Sequence, residues 1–108
     1  MRSGYEAVWV LTMFDLPVKT KTERHRYALW RRNLLREGFS RMQYSVYAQH
    51  FDSQEASDAV CERLLRLVPP AGEVRFMRVT ERQIEKMIVR VGRKHRRPER
   101  PRSQLAFF

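Results

Sequence analysis

The sequence predicts an α+β domain, one antiparallel sheet with two helices on a single face. Three observations predict it. Val8–Phe14 is a short, almost wholly apolar run rich in Val and aromatics, which reads as a strand buried on both faces. Two later stretches repeat apolar residues at helical spacing, each behind a capping signal. β-prone runs lie between and after them, the first with clean period-two alternation.

The elements follow in order. The opening run leads straight into Asp15 and then Pro17, which cannot donate to a strand ladder and so ends the strand. Asp15 therefore stands where a buried strand surfaces, on a rigid base suited to chemistry. The plain alternative is that it starts a loop. Thr20 and Glu23 have capping-box spacing, so a helix begins here. Tyr27, Trp30 and Leu34, with Ala28 and Leu35 alongside, form its apolar stripe. Gly38 is the stop signal, and Phe39 is placed to fold back on the last turn.

Met42, Tyr44, Val46 and Ala48 then alternate with Arg41, Gln43, Ser45, Tyr47 and Gln49. This predicts a half-buried strand, or two strand segments broken by a bend. Asp52 and Ser53 offer a cap, and Ala56, Val60, Leu64 and Leu67 make the second helical stripe, ended by Pro69-Pro70 and Gly72. Glu73–Val79 is a further strand region. Thr80 and Gln83 repeat the capping-box spacing before a brief helical turn with Ile84 and Met87. Ile88–Val91 reads as one more strand, ending at Gly92.

This order is the βαββαβ of the ferredoxin-like fold with an extra C-terminal strand. Because Val8–Phe14 is apolar on both sides, the helix-free face also needs cover. A homodimer packed sheet to sheet supplies it, with Ile88–Val91 placed to cross to the partner's sheet edge. The domain is expected over residues 1–92. Residues 93–108 form a basic tail, interrupted by Pro98 and Pro101 and mobile on its own. The tail ends in Gln104-Leu105-Ala106-Phe107-Phe108, an apolar segment that needs a groove or a partner.

Bulk properties narrow the function. At 108 residues the chain is one domain, and no apolar run approaches the roughly 20 residues that span a bilayer. Met1–Glu6 lacks the apolar core and cleavage site of a secretory signal. Cys61 is the only cysteine, which points to a reducing compartment and hence the cytoplasm. With 22 Lys and Arg against 12 Asp and Glu, the net charge is +10, and a small domain this basic meets a polyanion, nucleic acid above all. The tail carries +5 of that charge (six basic groups, one acid), so the body is basic without it. The imbalance is densest from Lys19 to Arg41, where Lys19, Lys21, Arg24, Arg26, Arg31, Arg32, Arg36 and Arg41 stand against two acids. A solvated face is the ordinary reading of a charge run, and this lopsidedness favours phosphate contact.

No standard catalytic motif is present. His25, His50 and His95 lack metal-ligand spacing and read as surface or nucleic-acid-facing residues. Four scattered glycines make no phosphate loop. Cys61 reads as a small core residue, and Ser45 has no His–Asp pair near it in sequence. Asp15 remains, and one carboxylate is too few for Mg²⁺, which wants octahedral oxygen coordination. A two-fold axis near the strand end would pair Asp15 with its copy and make a site for metal-assisted phosphodiester hydrolysis.

Phe14-Asp15-Leu16-Pro17 and Gln43-Tyr44-Ser45-Val46-Tyr47, in this element order, resemble the small CRISPR-associated adaptation protein, the second Cas protein ("Cas two") and partner of the spacer integrase. Val18–Arg24 and Leu34–Phe39 extend the likeness toward the branch found beside type II systems. It covers residues 8 to about 91. The resemblance implies a ferredoxin-like homodimer with Mg²⁺ between symmetry-related aspartates, matched by Asp15, and a Ser-Val-aromatic motif matched by Ser45, Val46 and Tyr47. Family members are described as metal-dependent endonucleases on RNA or DNA, and as non-catalytic bridges between integrase dimers. Many have Tyr before the Asp where this chain has Phe14.

Two functions stay open on the sequence. One is a phosphodiesterase, with Asp15 and its copy as ligands and Lys19, Lys21, Arg24, Arg31, Arg32 and Arg41 on phosphates. The other is a scaffold gripping duplex DNA, with Gln104, Leu105, Phe107 and Phe108 docking the integrase. A third, an RNA-binding module of the RRM sort, lacks that family's aromatic strand motif.

Overall fold

The computed structural model describes residues 6–101. Strand β1 (Val8–Asp15) leads to helix α1 (Lys21–Arg36), strands β2 (Ser40–Gln43) and β3 (Val46–Phe51), and helix α2 (Gln54–Leu65). Strand β4 (Glu73–Val79), helix α3 (Glu81–Glu85) and strands β5 (Val89–Val91) and β6 (Lys94–Arg96) follow. The main sheet has the order β2-β3-β1-β4 with every pair antiparallel, so the fold is ferredoxin-like with β1 at its centre.

Local signals set the helix ends. The Thr20 hydroxyl accepts from Glu23 N at 3.1 Å, and Glu23 Oε1 accepts from Thr20 N at 2.9 Å, a complete capping box. At the other end Phe39 N donates to Leu34 O and Gly38 N to Leu35 O, the paired bonds of a Schellman turn. Gly38 takes φ +101 there, and Phe39 folds under the helix, 2% exposed. Ser53 caps α2, and Thr80 with Gln83 caps α3 by a second complete box.

The alternation of β1 divides the interior in two. Val8, Val10 and Phe14 face α1 and α2, where they pack with Trp30, Leu34, Tyr47, Phe51, Val60 and Leu64. Each such side chain contributes roughly 1.5–3 kcal/mol by leaving water. Trp9 and Leu11 point the other way and pack with Ala48 and Ile84. The α2 seam runs through Ser57, Val60 and Leu64. Ala56 and Leu67 of the expected stripe are exposed, because the helix rolls its Ser57 side inward and ends at Leu65.

Two expectations are corrected and a third is extended. The second face of β1 is not left wholly to another molecule, since α3 lies on it and Ile84 closes over Trp9 and Leu11. His50 helps hold α3 there: its Nε2 lies 2.5 Å from Glu81 Oε1, and its ring meets Trp9 edge-on at 5.5 Å. It is therefore a packed residue rather than a surface one. Finally, the extra C-terminal strand is half of a separate hairpin, β5 with β6, because Gly92 at φ +64 turns the chain back on itself. β6 lies inside the stretch read as tail. The docking residues Gln104, Leu105, Phe107 and Phe108 lie outside the described residues.

Candidate active site and nucleic-acid interface

The two sequence motifs meet at one end of the sheet. Phe14 N donates to Ser45 O at 3.1 Å, so the β2–β3 turn is fastened to the last residues of β1. Val46 stands opposite Met13 across the ladder. Tyr47 is buried against Phe14, ring centroids 5.7 Å apart. Phe14 also meets Tyr27 at 5.8 Å and Trp30 at 6.2 Å. Position 14 thus belongs to the helix-side core, and the Phe in place of Tyr changes that core rather than the face Asp15 occupies. Period-two alternation places Tyr44 on one face with Met42 and Val46. Instead Tyr44 is in the turn and 76% exposed.

Asp15 is exposed at the very end of β1, on the face opposite the two long helices. Among the described residues its carboxylate has no hydrogen-bond or ion-pair partner. Its position is fixed by backbone packing. Gly72, at φ +101, approaches so closely that a Cβ there would lie 2.7 Å from the Asp15 carbonyl oxygen and 2.7 Å from Leu16 Cδ2. Directly across the ladder from Asp15 is Glu73. Glu73 Oε1 accepts from Arg75 Nε at 2.8 Å, and that bond with the guanidinium charge holds the Glu73 carboxyl below its ordinary range.

The donor chemistry fits Mg²⁺, since exposed carboxylate oxygens are its preferred ligands. The count does not close within one chain: among the described residues no three His, Cys, Asp or Glu side chains converge.

The basic residues divide by place. Lys19 and Lys21 flank the start of α1, which follows Asp15 after the loop Leu16–Thr20, so both sit at Asp15's end of the sheet and are exposed. Arg24 is spent on that loop, its Nη1 donating to Lys19 O at 2.9 Å and Val18 O at 3.2 Å. Arg31 and Arg32 are exposed about 15 Å further along the helix, at 1.5 Å per residue. Arg41 is on the far edge strand, opposite Tyr47. The structure therefore does not gather the six around Asp15. In the sequence Gly72 reads as a helix stop and Glu73 and Arg75 as part of a strand, and none of the three is tied to Asp15, because only the β1–β4 register brings them there. The alternation Glu73-x-Arg75-x-Met77 does put the first two on one face.

Among the described residues, no helix is long and apolar enough to cross a membrane. Residues 8–87 match the family model described as CRISPR associated protein Cas2. A protein of Parvibaculum lavamentivorans named CRISPR-associated endoribonuclease Cas2 is 43% identical over 101 residues, 94% of this chain and 100% of the relative. Its namesake in Paracidovorax avenae is 35% identical with both chains covered in full. A third, from Flavobacterium psychrophilum, is 33% identical over 96% of this chain and 90% of its own. With the whole main sheet and all three helices inside the match, and two relatives covered over their full length, this chain belongs to the CRISPR-associated protein Cas2 family.

Proposed function

We propose that this protein serves CRISPR adaptation in the cytoplasm as a homodimer that binds nucleic acid and hydrolyses phosphodiester bonds. Asp15 and its copy in the second protomer would hold Mg²⁺. The observation that carries the reading is Asp15 itself, an exposed, unpartnered carboxylate on the end of the most buried strand. The ion, when bound, supplies a Lewis acid for attack on the phosphodiester. The chain's own part is to hold Asp15 rigidly, through Gly72 on one side and the Ser45 bond on the other. Lys19 and Lys21 receive phosphates at the same end. RNA is one substrate class, from the name the relatives carry; DNA is the other.

A sheet-to-sheet dimer is supported by what α3 leaves uncovered. Met13 and Val46 are half-buried, while Met77, Ile88 and Val91 are 46%, 82% and 57% exposed.

One observation favours a second reading, a scaffold that bridges integrase dimers on protospacer DNA. Lys21, Arg31 and Arg32 run along α1 away from Asp15, a track suited to duplex phosphates rather than to one scissile bond. Asp15→Asn separates the two. On labelled RNA and DNA in Mg²⁺ it should abolish cleavage and leave duplex binding intact. Cleavage unchanged by the substitution refutes the hydrolytic reading. A wild-type chain that binds duplex but never cuts supports the scaffold.

A further inference from the structure

Asp15's face has a cation that neither the charge run on α1 nor the family motifs include. Along β4, Glu73, Arg75, Met77 and Val79 alternate onto the side opposite α1 and α2, while Arg78 points back and pairs with Asp58 of α2. Arg75 stands across from Met13, and Glu73 across from Asp15. Met13 and Asp15 are two apart on one strand and so share a face. The ion pair with Glu73 runs along β4, drawing the guanidinium from the Met13 row toward the Asp15 row.

We infer that Arg75, braced by Glu73, is the residue that positions a substrate phosphate at Asp15. Glu73 engages Nε in the ion pair, and the two terminal nitrogens remain to grip phosphate oxygens in a fork. The brace matters because a guanidinium held in place loses less freedom on binding than a loose one. It also answers a liability. Two carboxylates directly opposite on a ladder repel, and a cation locked to one of them lowers the cost of bringing an anionic phosphate beside the other. In the single chain the Arg75 and Glu73 side chains are 70% and 64% exposed, and sedimentation in the test below separates a phosphate contact from a contact between copies on the same face.

The inference rests on the hydrolytic reading of Asp15, and the test keeps the two apart. Full-length Arg75→Gln, Arg75→Lys and Glu73→Gln are assayed in Mg²⁺ on labelled RNA and DNA. Each is also made in the Asp15→Asn background for equilibrium binding across a salt series, with the oligomeric state followed by sedimentation. Arg75→Gln should raise KM about tenfold with a smaller change in kcat, and weaken binding in the Asp15→Asn background alike. Its salt slope should fall by about 0.7 to 0.9, the value of one phosphate contact. Arg75→Lys should keep the slope and recover part of the affinity. Glu73→Gln should raise KM a few-fold at unchanged slope, which a mere loss of charge would not do. The inference is overturned if Arg75→Gln leaves KM, affinity and slope unchanged while Asp15→Asn still abolishes cleavage. A shift in oligomeric state alone overturns it too, making Arg75 a contact between copies. Equal cleavage by wild type and Asp15→Asn sinks the hydrolytic reading instead, and the binding series then decides Arg75 by itself.

Discussion

Gly72→Ala should be among the most damaging single-methyl additions in this chain, and its size can be worked from two glycines that share a backbone angle. Gly38 and Gly72 both have φ +101, where an L side chain is strained by about 1–3 kcal/mol. What differs is the obstacle. At Gly38 a Cβ meets Gln49 Nε2 at 2.6 Å, the far end of a flexible side chain that can swing aside. At Gly72 it meets the Asp15 carbonyl oxygen at 2.7 Å, backbone of the central strand. Moving that strand end disturbs Leu16 and the Phe14–Ser45 bond, an overpacking cost of about 1–3 kcal/mol. Gly38→Ala is therefore expected to cost about 1–3 kcal/mol, and Gly72→Ala about 1–3 kcal/mol more than that. At about 4 °C per kcal/mol for a chain of this size, Gly72→Ala should melt about 4–12 °C below Gly38→Ala. Thermal and urea unfolding followed by fluorescence of the buried Trp9 and Trp30 measures both. Equal losses for the two variants would refute the close packing of Gly72 on Asp15, and with it the account of how Asp15 is held.

Three further outcomes follow from the Glu37–Arg63 ion pair and the α1 charges. Glu37, the last cap residue of α1, accepts from Arg63 Nε and Nη2 of α2, both at 2.9 Å, and those bonds lower its pKa. A carboxylate lowered on folding stabilises the protein above its unfolded pKa, and that contribution is lost as pH falls through the folded one. Glu37→Gln should cost about 0.5–1 kcal/mol at neutral pH, and the difference should vanish on acidification below the usual glutamate range. A gap that persists at acid pH in urea unfolding would remove the pair from the account. On α1, Lys21→Ala and Arg32→Ala should each lower the salt slope of duplex binding by about 0.9. Arg24→Ala should instead cost about 1 kcal/mol of stability, since its guanidinium holds the loop after β1. A full phosphate-sized slope change for Arg24→Ala, with stability untouched, would reverse that assignment.

Much of the architecture was legible because it is written in local patterns. The capping boxes at Thr20 and Thr80, the Schellman stop at Gly38 and the apolar run of β1 each act over a few residues, and each appears where its pattern predicts. Tyr44 and Tyr47 follow no such local rule. Alternation holds only while a strand continues, and the turn at Tyr44-Ser45 with the irregular β2–β3 register exchanges which tyrosine is buried. His50 and Ile84 likewise depend on where α3 lands, far along the chain from both β1 and β3.

From the sequence alone follow the order of elements from β1 to β5, the burial of β1 and the exposure of one acid at its end, because period, caps and breakers are properties of neighbouring residues. Only the tertiary structure decided what stands beside that acid. It put the arginines of α1 on the other side of the sheet and brought Glu73 and Arg75 across from Asp15 and Met13. The physical reason is register. Pairing two strands more than 50 residues apart selects which side chains share a face, and no local pattern carries that choice.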